Sequence, residues 1–101
     1  MAILERQIKP VCPGKWEEIG EQHKRWHEAE SRCEYPPQKR YRAVAGSYDT
    51  GTLIIEREWQ SFAAMEAAHM KAGADPEIQA LRGESQKVFD SVRFQFHMVI
   101  A

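Results

Sequence analysis

Polar and apolar positions along the chain follow two periods, and the points where the period changes predict the elements. Strict alternation across residues 92–100, where Arg93, Gln95 and His97 separate apolar neighbours, predicts a strand. Residues 52–73 predict a strand that turns at Ser61, a suitable helix N-cap, into a helix beginning at Phe62. The chain before this segment predicts one strand–helix–strand unit, and the chain after it predicts a helix and a closing strand.

The flanking segments predict the remaining elements. Residues 2–9 predict a strand, residues 14–32 a helix with Pro13 near its first turn, and residues 39–48 a second strand. Residues 49–51 predict a tight hairpin turn into the strand 52–59, and Asp75 with Pro76 predicts a new helix after a break near Gly73–Asp75. The order is β-α-β-β-α-β, which predicts an α+β, ferredoxin-like fold: a four-stranded antiparallel sheet with helices on one face.

Composition narrows the class of protein. The 101 residues suit one domain, 1–101, and a net charge of −1 gives no electrostatic reason to expect nucleic acid or an anionic membrane as partner. No apolar run approaches the ~20 residues of a membrane span, and no N-terminal leader is evident, so we expect a cytoplasmic protein. Cys12 and Cys33 flank the predicted first helix, about 30 Å apart, which predicts free thiols rather than a disulfide.

Both faces of the predicted strand 52–59 mix apolar and charged residues. One face carries Leu53 and Ile55 beside Arg57, and the other carries Ile54 beside Glu56. A sheet face in contact with water is expected to be uniformly polar. We therefore expect the sheet of a second copy to cover the face away from the helices, which predicts a homodimer.

Two segments resemble a known family. Residues 54–66, Ile-Ile-Glu-Arg-Glu-Trp-Gln-Ser-Phe-Ala-Ala-Met-Glu, and residues 74–81, Ala-Asp-Pro-Glu-Ile-Gln-Ala-Leu, resemble segments of the dimeric α/β-barrel (ferredoxin-like) superfamily, nearest to NIPSNAP-like and antibiotic-biosynthesis-monooxygenase-like domains. The resemblance implies a homodimer with a small-molecule cavity between helices and sheet in each subunit. The superfamily includes cofactor-independent oxygenases, haem-degrading enzymes, dismutases and members without an assigned activity, so the resemblance predicts fold better than chemistry.

Histidines on the inward faces of the predicted helices are the candidate catalytic residues. His23 and His27 lie four residues apart on adjacent turns, with Glu30 one turn further, a spacing that suits either metal ligation or polar groups lining a cavity; we favour the cavity. His69 faces inward on the other helix, where it could approach His23 or His27 and act as a general base. The alternative for the first helix is that one histidine packs at the core boundary with Trp16 and Trp26 while the other reaches water. The alternative for His69 is a side chain satisfied by a backbone carbonyl.

The predicted site therefore has two groups of residues. The predicted catalytic residues are His23, His27 and His69, and the predicted pocket residues are Trp16, Trp26, Glu30, Phe62 and Met65. Arg93, Gln95 and His97 line the pocket floor if their side of the last strand faces the helices, and otherwise lie at the dimer interface or near solvent; we favour the second arrangement.

These expectations define one function and its alternatives. We predict a dimeric protein that binds a small organic molecule between helices and sheet, with a cofactor-independent, monooxygenase-type conversion and no bound cofactor. The alternative is a non-catalytic homodimerising module whose interior is filled by side chains. A metal- or haem-dependent member is a third, less favoured possibility.

Overall fold

The computed structural model of the protein describes residues 2–100; Met1 and Ala101 of the predicted domain lie outside the described residues. Its elements are β1 Ile3–Pro10, α1 Trp16–Arg32, β2 Lys39–Arg42, β3 Thr52–Trp59, α2 Phe62–Gly73, α3 Pro76–Ser85 and β4 Arg93–Met98. The strands form one four-stranded sheet in the order β2-β3-β1-β4, and all paired neighbours are antiparallel. The predicted ferredoxin-like order is confirmed.

Local sequence signals set the ends of the second and third helices. The Ser61 side chain accepts a hydrogen bond from the backbone N–H of Ala64 at 3.1 Å and caps α2. The break predicted near Gly73–Asp75 is confirmed, because α2 ends at Gly73 and Asp75 caps α3 by accepting two backbone N–H groups of its first turn. Pro76 occupies the first turn of α3, where its missing N–H costs nothing.

The second strand is shorter than its alternating pattern predicts. It pairs with β3 as far as Arg42, and the chain then leaves the sheet for a loop over residues 43–51, in which Gly46 has φ +107°. The predicted strand to residue 48 is therefore wrong, although the antiparallel pairing is confirmed. The predicted turn at 49–51 is present, since the Thr52 backbone N–H donates to the Asp49 carbonyl at 3.0 Å, but it ends a longer loop instead of joining the two strands directly. A left-handed glycine interrupts the extended backbone, which side-chain alternation alone does not reveal.

Other elements also have different bounds from those predicted. Helix α1 begins at Trp16 rather than at residue 14, because Gly14 takes φ +78° in a turn that precedes the helix. Pro13 accordingly lies before the helix, not in its first turn. Strand β4 covers Arg93–Met98 rather than the predicted residues 92–100.

Helices α1 and α2 pack on one face of the sheet, as predicted, and α3 packs on these two helices. Ile19 of α1 packs with Leu53 and Ile55 of β3, whereas Ala68 of α2 packs with Ile3 and Trp59. Helix α3 is held to α1 by a cluster of buried side chains: Ala29, Cys33, Ala72, Ile78 and Leu81. These contacts anchor the helices along β1 and β3, and the edge strand β4 retains exposed aromatic side chains on this face.

Candidate ligand site

A cavity of about 800 Å³ lies between the helices and the sheet. Strands β1, β2 and β3 contribute polar and charged side chains to it, including Gln7, Lys9, Arg40 and Arg57. Val92, Phe94 and Phe96 also line the cavity yet are 44–55% exposed, so it opens to solvent beside β4. Its volume is within the range of small-molecule sites, which are typically about 300–1,000 Å³.

A buried charge cluster closes one end of the cavity. The Arg57 guanidinium, 1% exposed, donates from Nη2 to Glu30 Oε2 at 2.9 Å, and its Nε lies 3.9 Å from Glu5 Oε2. Trp59 Nε1 donates to Glu5 Oε1 at 2.9 Å, and Gln38 Nε2 donates to Glu30 Oε1 at 2.7 Å. The cluster ties α1, β1 and β3 together, and it fixes two carboxylates at the cavity wall.

Aromatic rings surround this cluster on the side of α2. The ring centroid of Tyr35 lies 5.6 Å from that of His69 and 5.1 Å from that of Trp59, and the Arg57 guanidinium carbon lies 4.8 Å from the Tyr35 centroid. Burial raises the pKa of the Tyr35 phenol to about 12. Tyr35 is consequently a neutral hydrogen-bond donor to the cavity at physiological pH.

The three predicted catalytic histidines, His23, His27 and His69, occupy different environments. His23 is half-buried and lines the cavity, where burial, with the nearby charge of Arg40 and His27, lowers its pKa below the ordinary value. His69 also lines the cavity, although much of its side chain is exposed. His27 is exposed and lies beside a separate small pocket next to Pro36. The structure thus brings His23 and His69 to one cavity and leaves His27 outside it.

The predicted pocket residues divide in the same way. Trp26 and Glu30 line the cavity. Trp16 instead packs against the core near Ile19, with the Arg42 guanidinium carbon 4.3 Å from a Trp16 ring centroid. The other two lie outside the cavity: Met65 packs on the cluster of Ile3, Trp59 and Ala68, and Phe62 is 57% exposed.

The spacing of His23 and His27 does not create a metal site with a third ligand. Their ring centroids are 6.4 Å apart and the rings are tilted by 47°. Within residues 2–100, no group of three His, Cys, Asp or Glu side chains is arranged to hold a metal ion. The third member expected from the sequence, Glu30, is committed to Arg57 and Gln38.

The last strand shows which of its sides faces the helices. Phe94 and Phe96 lie on the cavity side. Their ring centroids are 6.4 Å apart and their ring planes are 5° from parallel. Arg93, Gln95 and His97 alternate with them and point to the opposite face of the sheet. The preferred arrangement of this strand is confirmed.

Sequence reasoning missed the charged part of the site. Arg57 has two partners: Glu30 of α1 accepts from its Nη2 at 2.9 Å, and Glu5, directly opposite on β1, lies 3.9 Å from its Nε. A second cross-strand pair joins Arg6 to Glu56 at 2.8 Å on the opposite face. The available signal was the position of Arg57 in phase with the apolar residues of β3, because a charged residue in a buried register needs a partner.

Fold and cavity together define the class of protein: a ferredoxin-like α+β domain with a ligand-sized space between its helices and its sheet. No protein-family model matches the chain, and no curated protein matches it. Similarity to solved structures is extensive. A NIPSNAP family protein from Agrobacterium tumefaciens superimposes with a TM-score of 0.82 at 14% identity, over 97% of this chain and 92% of that one.

Two further solved structures give the same result. An uncharacterised NIPSNAP-like domain protein from Burkholderia xenovorans has a TM-score of 0.80 at 15% identity, over 99% of this chain and 86% of that one. A candidate antibiotic biosynthesis monooxygenase from Chloroflexus aurantiacus has a TM-score of 0.68 at 11% identity, over 100% and 95% of the two chains. The chain therefore has the fold of NIPSNAP-like and antibiotic-biosynthesis-monooxygenase-like proteins, as the sequence predicted. At these identities the similarity establishes fold and not activity.

Among the helices within residues 2–100, none is both long and apolar enough to cross a membrane.

Proposed function

We propose that the protein is a homodimeric small-molecule-binding protein that converts its ligand in a cofactor-independent, monooxygenase-type reaction. The observation that carries the proposal is the cavity of about 800 Å³ between helices and sheet. It combines aromatic walls with titratable side chains, which is the usual composition of a small-molecule site. The alternative, a non-catalytic dimerising module, requires a filled interior, so the cavity favours ligand binding.

The proposed dimer uses the sheet face away from the helices. On this face Leu4 and Ile54 are half-buried and Tyr41 is 47% exposed, around the Arg6–Glu56 ion pair. A second sheet packed on it would bury these apolar side chains and leave the helix-side cavity intact. A cytoplasmic location belongs to the same proposal; it agrees with the free thiols of both cysteines.

Solution mass tests the dimer directly. Light scattering at micromolar concentration should report twice the chain mass of 11.7 kDa. Ile54→Lys, which places a charge at the centre of the proposed interface, should give a folded monomer. Met70→Lys is the matched control, since Met70 is 73% exposed on the helix side of the molecule. A wild-type protein at the mass of one chain would refute the dimer.

His23 and His69 are the proposed proton-transfer groups. The lowered pKa of His23 keeps its imidazole neutral at pH 7, which is the form that accepts a proton from a substrate. Without a cofactor, the substrate itself must reduce oxygen, and an electron-rich aromatic such as an anthrone can do so after deprotonation. Oxidation of its CH₂ group to a carbonyl consumes one O₂ and releases one water.

Oxygen uptake with an anthrone as the probe tests this chemistry. His23→Gln and His69→Gln should each lower kcat by about 10²-fold or more, the usual contribution of a general base. His27→Gln should leave kcat unchanged, because His27 lies outside the cavity. A loss of activity in this variant would instead favour the catalytic role that the sequence predicts for His27. His97→Gln, on the opposite sheet face, is the control. Unchanged turnover in all three of the His23, His27 and His69 variants would end the catalytic assignment.

A further inference from the structure

Two cations in the cavity lack the partners that the neighbouring arginine has. Lys9 of β1 and Arg40 of β2 are half-buried and line the cavity, and neither makes a side-chain hydrogen bond or ion pair with another described residue. The Nε atom of Arg40 is buried without a hydrogen-bond partner among residues 2–100. Arg57 also has two buried nitrogens without a hydrogen-bond partner, Nε and Nη1, but unlike Lys9 and Arg40 it is ion-paired, with Glu30 and Glu5.

Burial without a carboxylate partner is unfavourable for both cations. Burial lowers the pKa of Lys9 to about 8 and lowers that of Arg40 from its usual value, although the charge of Glu30 acts in the opposite direction on both. Glu30 cannot compensate them fully, because its two oxygens already accept hydrogen bonds from Arg57 and Gln38. This part of the cavity therefore holds positive charge that the protein itself does not neutralise.

The walls beside these cations are apolar and flat. Lys9 Nζ lies 4.8 Å from the ring centroid of Phe89, and the parallel rings of Phe94 and Phe96 line the open side of the cavity together with Trp26 on the helix side. Flat, exposed aromatic faces favour a planar apolar partner. The complementary ligand has a planar body and one negative group.

We propose that the cavity takes an aromatic carboxylate, whose carboxylate is bound by Lys9 and Arg40 and whose ring lies against Phe94 and Phe96. The proposal rests on the proposed function, in that the same cavity is the ligand site. It adds the chemical class of the ligand and the residues that select it. A carboxylate would supply the acceptors that both cations lack and would be held by charge-assisted hydrogen bonds.

Two probes of the same shape but different charge test the proposal. 2-Naphthoate and neutral 2-naphthalenemethanol are titrated into the wild-type protein at neutral pH, with heat of binding as the readout. Naphthoate should bind about tenfold more tightly or better, the gain expected from one charge-assisted hydrogen bond. Lys9→Met and Arg40→Gln should each abolish this preference, and binding of the neutral probe confirms that each variant is folded.

Lys39→Met is the matched control. Lys39 is adjacent to Arg40 in β2 but points to the opposite face of the sheet and is exposed, so its loss should leave the preference unchanged. Equal affinity for the two probes would overturn the carboxylate assignment and leave the cavity as a ligand site. A preference that survives both Lys9→Met and Arg40→Gln would place the anion elsewhere and overturn it too. Failure of both probes to bind the folded protein would overturn the proposed function as well.

The pH dependence gives an independent measurement. Around Lys9 the charged groups are Glu5 of its own strand, Arg40 of β2, Arg57 of β3 and Glu30 of α1. Since the Lys9 pKa is lowered to about 8, the amine loses its charge above that pH. The naphthoate preference should be complete at neutral pH and decline through about pH 8 in the wild type, with protons taken up on binding near that midpoint. A pH-independent preference would refute the role of Lys9.

Discussion

Replacement of Arg57 by methionine is the most direct test of the buried charge cluster. The substitution retains much of the side-chain volume but leaves Glu30 and Glu5 buried without their cation, at side-chain exposures of 11% and 4%. Removing one partner of a buried pair costs about 3–5 kcal/mol, because the remaining charge stays desolvated. A domain of this size has a free energy of unfolding of roughly 5–15 kcal/mol. Arg57→Met should therefore lose a large fraction of the total stability.

Urea unfolding followed by tryptophan fluorescence measures this loss. Trp59 is 1% exposed and donates its indole N–H to Glu5, so its share of the emission, beside those of Trp16 and Trp26, reports on the cluster itself. Arg25→Met is the comparison, because Arg25 pairs with Glu77 and Glu84 at the surface, where it is 42% exposed. The surface substitution should change the unfolding midpoint far less, since exposed ion pairs are screened by solvent.

A triple variant separates lost charge from lost packing. Arg57→Met combined with Glu30→Gln and Glu5→Gln leaves no uncompensated buried charge, so it should recover much of the stability lost by Arg57→Met alone. If Arg57→Met lies within about 1 kcal/mol of the wild type, or if the triple variant is no more stable than the single one, then charge burial is not what the cluster contributes.

Leu81→Ala, at a fully buried position between α3 and α1, should lower the free energy of unfolding by about 2–5 kcal/mol in urea titrations. A hydrogen bond to Asp90, with burial, raises the pKa of the Cys12 thiol, so Asp90→Ala should speed its alkylation at pH 8. Burial, followed by the charge of Asp75, raises the pKa of the Cys33 thiol, which should react only after unfolding. Desolvation acts to raise the pKa of Asp75, but hydrogen bonds from the α3 backbone and Arg32 outweigh it and lower that pKa. The ionised Asp75 therefore stabilises the fold at pH above its pKa in the unfolded chain, and this stabilisation is lost as the pH falls through its lower pKa in the folded protein. Asp75→Asn should remove this pH dependence of the stability.

Each of these outcomes has a clear contradiction. A Leu81→Ala protein as stable as the wild type would mean that the α1–α3 contact does not hold the helices. Equal alkylation rates with and without Asp90 would exclude its influence on Cys12, and rapid native labelling of Cys33 would contradict its burial. An acid unfolding profile that Asp75→Asn does not alter would assign the pH dependence to other carboxylates.

Periodicity alone determined the elements and their order. The alternation in β4, the Ser61 and Asp75 caps and the break after Gly73 are local signals, since each depends on residues within a few positions of one another. The fold follows from that order because few topologies connect strands and helices in this sequence with short connections. Where the local signal was incomplete, as at Gly46, the strand end was predicted wrongly.

Only the tertiary structure decided how the site is composed. The pattern shows which side of an element faces inward, but it does not show what lies across the core from it. Arg57 donates a hydrogen bond to Glu30, which is 27 positions away in the sequence, and Trp59 donates one to Glu5, which is 54 positions away. The same nonlocal packing brought His23 and His69 to one cavity, left His27 outside, and placed Lys9 and Arg40 in it without partners. Element order is a property of neighbouring residues, whereas a cavity is made by residues that only folding brings together.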